Sequence, residues 1–108
     1  MVDWGRVASL RMEIGAADFS EVLEMFLAEA DDVIRRLRSG TNEASYEAEL
    51  HALKGAALNL GLSDLANLCS EGERAARCGV AADISAIVSG YTASRAALLA
   101  GLASKFAA

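Results

Sequence analysis

His51 is the single histidine of this 108-residue chain, and Lys54 and Gly55 follow it at helical spacing. Residues three and four positions on are neighbours on a helix surface, and their side chains lean toward the helix N-terminus. Lys54 would therefore bring an ammonium to the imidazole, while Gly55 would bring nothing and leave that flank open. An interior helical glycine costs about 0.8–1 kcal/mol relative to alanine. The chain uses alanine freely, so a glycine at this point implies that room is wanted. Imidazole is the side chain that is substantially neutral, hence nucleophilic, near neutral pH. Nucleophile, cation and cleared space together describe a seat for a transient anionic group, with phosphoryl the obvious candidate. The competing reading is a surface histidine without a role, and spacing alone does not separate the two.

Other chemistries find less support. A lone histidine is a poor metal site, because no Cys, His or paired carboxylates stand at ligand spacing to complete it. Asp31 and Asp32 read as part of a solvated face. No catalytic triad, glycine-rich phosphate loop or nucleotide motif is present, so ATP use by this chain is not expected. The net charge of −5 argues against a nucleic-acid partner. The longest apolar stretch, Ala96 to Ala103, is far short of the roughly 20 residues that cross a bilayer, so no membrane partner is expected. The first residues lack a basic segment followed by an apolar one, so no signal peptide is read. Cys69 and Cys78 are not in a C-x-x-C arrangement and read as reduced thiols of a cytoplasmic protein.

The elements that must position His51 are helical. Hydrophobic residues make up 54% of the chain, aromatics only 6%, and there is no proline, which favours closely packed helices in a single domain over residues 1–108. A short first helix runs from Asp3 to about Ile14 and stops at Gly15. In the second, Asp18 and Glu21 suggest a capping box. Phe19, Val22, Leu23, Phe26, Ala30, Val33, Ile34 and Leu37 then form one apolar stripe, ending at Gly40. The third starts near Thr41–Glu43, buries Leu50, Leu53, Ala57 and Leu60, and ends at Gly61, with Ser63 capping the next. The fourth places Leu65, Leu68, Cys69, Gly72 and Ala76 on one side. The fifth starts near Asp83 and buries Ile84, Ile87, Val88, Tyr91, Leu98 and Leu102. Short connections make this an all-α, antiparallel up-down-up-down four-helix bundle, with the short N-terminal helix as its cap.

His51-Ala52-Leu53-Lys54-Gly55, with Gly61 six residues later, resembles the H-x-L-K-G-x-x-x-x-x-G signature of histidine phosphotransfer (HPt) domains. Phe26 before the motif, and Leu62, Leu65 and Cys69 after it, agree with the family pattern, and the resemblance is close over residues 18–78. It implies that His51 accepts a phosphoryl group through Nε2 from a receiver-domain aspartate and passes it to another receiver. On the same pattern Lys54 pairs with phosphate and Gly55 gives the receiver access. The family often has a polar residue on the next helix that orients the imidazole. Glu73 stands there, though a solvated glutamate with Arg77 as its i+4 partner is an equal reading. Gly72 departs from the pattern, which usually has a large apolar residue; either packing is loose there or two helices approach closely.

Leu58 and Met25 are apolar residues off the core stripes that would suit a docking surface, and Arg77, one turn after Glu73, is a further candidate contact for a partner; Tyr46 and Trp4 could join that surface or the core. The resemblance implies response-regulator receivers and an upstream hybrid histidine kinase as partners. It implies no cofactor on this chain, with Mg²⁺ on the receiver, and a monomer. Met1 and a last helix reaching nearly to Ala108 favour a free-standing phosphocarrier over a module of a hybrid or chemotaxis-type kinase. The alternative from another class is a non-catalytic helical adaptor.

Overall fold

The computed structural model describes residues 2–40 and 46–106. They form five helices: α1 (Trp4–Ile14), α2 (Ala16–Arg38), α3 (Tyr46–Asn59), α4 (Ser63–Arg77) and α5 (Ile84–Lys105). α2 packs on α3, α3 on α4 and α4 on α5, and α5 returns to α2, while α1 packs on α2 and α3. The result is the all-helical bundle that the apolar spacing implies, elongated to 46 × 21 × 21 Å.

Local chemistry fixes the helix ends. The Asp3 carboxylate accepts a hydrogen bond from the Arg6 N–H at 3.1 Å, and Asp83 accepts one from the Ala86 N–H at 3.0 Å, capping α1 and α5. α2 differs from expectation, since it begins at Ala16 with Gly15 at its N-cap and no side-chain cap. The Gly15 N–H closes α1 on the Arg11 carbonyl at 2.9 Å, and its own carbonyl accepts from Phe19 at 3.1 Å. One glycine at φ +97° thus joins two helices, and Asp18 moves into the first turn, where it opposes the dipole without capping. The expected α3 start at Thr41–Glu43 lies outside the described residues. At the other end, Leu62 donates to the Ala57 carbonyl at 2.8 Å across Gly61, a Schellman closure. Leu62, not Ser63, is therefore the N-cap of α4. The turn is also anchored from α1's side: the Asp3 N–H donates to the Gly61 carbonyl at 2.6 Å, so close that a Cβ at position 61 would stand 2.6 Å from the Asp3 carbonyl oxygen.

The core is built from Leu23, Leu27 and Leu37 of α2, Leu50 and Leu53 of α3, Leu65 and Cys69 of α4, and Ile87, Tyr91 and Leu98 of α5. Burial of each large aliphatic side chain contributes about 1.5–3 kcal/mol. The α2 stripe is rotated slightly from the expected one, burying Leu27 and leaving Val22 and Phe26 half-buried. Leu68 and Ala76 on α4, and Ile84, Val88 and Leu102 on α5, are also only half-buried. Gly72 marks a close approach. A Cβ there would lie 2.8 Å from Leu50 Cδ1 and 3.3 Å from Ile87 Cδ1, so its absence lets α4 settle against both α3 and α5. Trp4 does the same at Gly101, resting its ring where a Cβ would stand and meeting Phe106 at 6.4 Å between centroids.

Two sequence expectations need correction. Asp31 is not simply solvated: it accepts from the Tyr91 hydroxyl and from Arg95 Nε and Nη2 at 3.1 and 3.2 Å, joining α2 to α5. α5 is also long and apolar enough, by length and composition, to cross a membrane, although no unbroken apolar run reveals it. Its interspersed Ser, Thr and Gly residues are close to neutral in hydropathy. In the bundle the helix turns Ile87, Tyr91 and Leu98 to the core and spends Arg95 on Asp31.

Candidate functional site

His51 lies on the outward side of α3, opposite Leu50 and Leu53, with its side chain 73% exposed. The helix spacing that buries the leucines carries the imidazole to the surface on the flank nearest α4. There it lines a shallow depression with Glu47, Ala48, Lys54, Glu73 and Arg77. Gly55 sits one turn beyond His51, and nothing among the described residues lies within 4 Å of where its Cβ would be. The flank is open because of that missing side chain, not because a neighbour has withdrawn.

Glu73 is the residue whose surroundings the sequence described least well. It is buried to 4% exposure, which excludes the solvated reading, and Arg77 is not its partner. Its Oε2 stands 3.5 Å from His51 Nδ1, and its Oε1 stands 3.1 Å from Lys54 Nζ. The ammonium is close enough for an ion pair but off line for a hydrogen bond, and no other donor among the described residues reaches Oε1. Burial by itself would raise the Glu73 carboxyl. The Lys54 ammonium, with a smaller contribution from His51, outweighs it and holds the group below its ordinary value. Burial, reinforced by the Glu73 charge and opposed by Lys54, pushes the Cys69 thiol up to about 12, so this cysteine is an inert core residue.

The Lys54 side chain is only 25% exposed, and its ammonium faces the Glu73 carboxylate on α4. Arg77 closes the other side of the depression, with Nε 3.9 Å from Glu47 Oε1. The site therefore holds two cations and two carboxylates around one imidazole. With the ring's Nδ1 turned to Glu73 and Nε2 without a partner among the described residues, the arrangement can present a nucleophilic nitrogen outward.

Leu58 and Met25 are 56% and 67% exposed, on α3 and α2 respectively. Tyr46 is half-buried in a separate groove with Ala76, Val80 and Ile84, and Trp4 belongs to the packing around Phe106. Spacing could not find the Asn59 amide, which donates to the Gly55 carbonyl at 3.0 Å and accepts from Arg6 Nη2 at 3.2 Å, tying α1 to the end of α3. Among the described residues no cluster of three or more His, Cys, Asp or Glu side chains is placed to hold a metal ion.

No curated protein and no solved structure matched the chain. A family model, the Hpt domain, matches residues 21–103, a span that begins in the first turns of α2, includes the whole depression and ends near the close of α5. The outward imidazole, the open glycine flank and this match over most of the chain lead to one conclusion: the chain belongs to the Hpt domain family and is a histidine phosphotransfer module of two-component systems.

Proposed function

We propose that His51 carries a phosphoryl group between receiver-domain aspartates. The Nε2 lone pair attacks the phosphorus of an aspartyl phosphate, the Nε2–P bond forms, and the P–O bond breaks with its electron pair returning to the aspartate. A second receiver takes the group by the reverse displacement. The observation that carries this reading is the orientation of an exposed imidazole with Nδ1 toward the buried Glu73 carboxylate and Nε2 unpartnered among the described residues. Gly55 gives the partner's acyl phosphate room to approach, and exposed Leu58 and Met25 offer apolar contact area for a transient complex, with Arg77 at the rim.

On this reading the partners are receivers and an upstream hybrid kinase. Mg²⁺ belongs to the receiver, and this chain, acting as a monomer in the cytoplasm, uses no cofactor of its own. The test is incubation with a phosphorylated receiver, followed by intact mass and acid treatment. The wild type gains one acid-labile, alkali-stable phosphoryl group, and His51→Gln gains none while keeping its stability within about 0.5 kcal/mol, as befits an exposed side chain. Acid-labile phosphorylation retained in His51→Gln would sink the assignment.

A further inference from the structure

Among the described residues, both cations of the depression already face a carboxylate. Lys54 faces Glu73 at 3.1 Å, and Arg77 faces Glu47 at 3.9 Å. A phosphoryl group on Nε2 adds roughly two negative charges at this point. Glu73, at 4% exposure, has little water at hand to relieve the crowding, and no hydrogen-bond donor among the described residues reaches its Oε1. Lys54 is the mobile member. It stands on a flexible four-carbon stem one turn from His51, on the side of α3 that faces α4.

Charge balance indicates how the pair responds. When Nε2 takes phosphorus, the Nδ1 proton stays on the ring, which becomes positive 3.5 Å from Glu73 Oε2. The ring then supplies the counter-charge that the buried carboxylate needs, and the ammonium is released. When the Nε2–P bond breaks, its electron pair returns to Nε2 and the ring is neutral again. Glu73 then needs Lys54 back. Resting on the phosphocarrier reading above, we infer that Lys54 changes partner within each cycle, from Glu73 to the phosphoryl group and back, and that Glu73 is the positioning residue that draws it back and speeds release.

The test is a double-mutant cycle with Lys54→Ala, Glu73→Gln and the combined variant, each before and after phosphorylation by phosphoramidate, which needs no receiver. Folding is followed by urea midpoints near neutral pH, where the phosphorylated ring can keep its Nδ1 proton beside Glu73, and within the lifetime of the phosphoryl group. Before phosphorylation, Lys54→Ala lowers the midpoint in the wild-type background and scarcely changes it beside Gln at position 73, because a neutral amide needs no counter-charge. After phosphorylation, Lys54→Ala lowers the midpoint in both backgrounds.

Phosphohistidine lifetime is the readout that a purely structural role would not move. Glu73→Gln lengthens it by about two- to fivefold, the range of a partly exposed ion pair, because Lys54 is no longer drawn away. Adding Lys54→Ala to the same chain removes the gain. A Lys54→Ala effect that is equal in both backgrounds before phosphorylation overturns the inference. So does one that stays absent beside Gln at position 73 after phosphorylation, or a lifetime gain that survives loss of the lysine. A wild type that takes no phosphoryl group at all from phosphoramidate or a receiver counts instead against the phosphocarrier reading.

Discussion

A carboxylate buried to 4% exposure requires a counter-charge, and at Glu73 the Lys54 ammonium stands 3.1 Å from Oε1, with His51 Nδ1 3.5 Å from Oε2. The consequence is a stability linked to pH. Burial would raise the Glu73 carboxyl, but its charged neighbours leave it below its unfolded value. The stabilisation it brings is therefore fully present above the ordinary carboxylate range and lost as pH falls through the depressed folded value. Asp31 behaves alike: burial raises it, and Tyr91 and Arg95 together bring it below the ordinary value. We expect urea midpoints of the wild type to decline as pH drops below the ordinary glutamate range. Glu73→Gln should flatten that decline and leave the part owed to Asp31. An acid limb of equal steepness in Glu73→Gln would show that the carboxyl is not linked to folding.

Two glycines in adjacent helices show that the same residue type can serve opposite ends. Gly55 on α3 faces open space, so a larger residue there gains helix propensity at no packing cost. Gly55→Gln should raise the melting temperature by the equivalent of about 0.5–1 kcal/mol, yet slow transfer from a receiver strongly, because the new side chain leans over the imidazole. Wild-type transfer rates in that variant would show that access is not what the glycine supplies. Gly72 on α4 is packed beneath Leu50 and Ile87, and a methyl group must displace both. Overpacking costs about 1–3 kcal/mol against a propensity gain of about 0.8–1, so Gly72→Ala should lose roughly 1 kcal/mol in thermal denaturation. A more stable Gly72→Ala would mean that Leu50 and Ile87 yield freely.

The bundle closes along the seam between α2 and α5, where Asp31 takes the Tyr91 hydroxyl and the Arg95 guanidinium. This seam stands across the bundle from the α3–α4 flank that holds His51. Removing the hydroxyl leaves Arg95 on Asp31, so Tyr91→Phe should cost about 0.5–1.5 kcal/mol by chemical denaturation and leave transfer through His51 at the wild-type rate. A changed transfer rate in fully folded Tyr91→Phe would show that closure of the bundle is coupled to the site.

The sequence by itself determined the helical architecture, because apolar residues recur at three- and four-residue steps in a chain without proline, and this periodicity does not depend on which neighbour a helix meets. It likewise determined that His51 lies off the core stripe of Leu50 and Leu53 and that Gly55 lies beside it, since both follow from the geometry of one helix. What a single helix cannot specify was decided by packing. Lys54 and Glu73 are on different helices, and only the close approach of α4 permitted at Gly72 brings the carboxylate under the imidazole. The same limit hid Asp31's partners sixty residues away, and the joining of α1 to α2 through Gly15 overrode a capping signal that was locally sound. Periodicity reports which face of a helix is buried; the identity of the side chain across the gap depends on how the helices meet, and that is set by the shapes of all of them together.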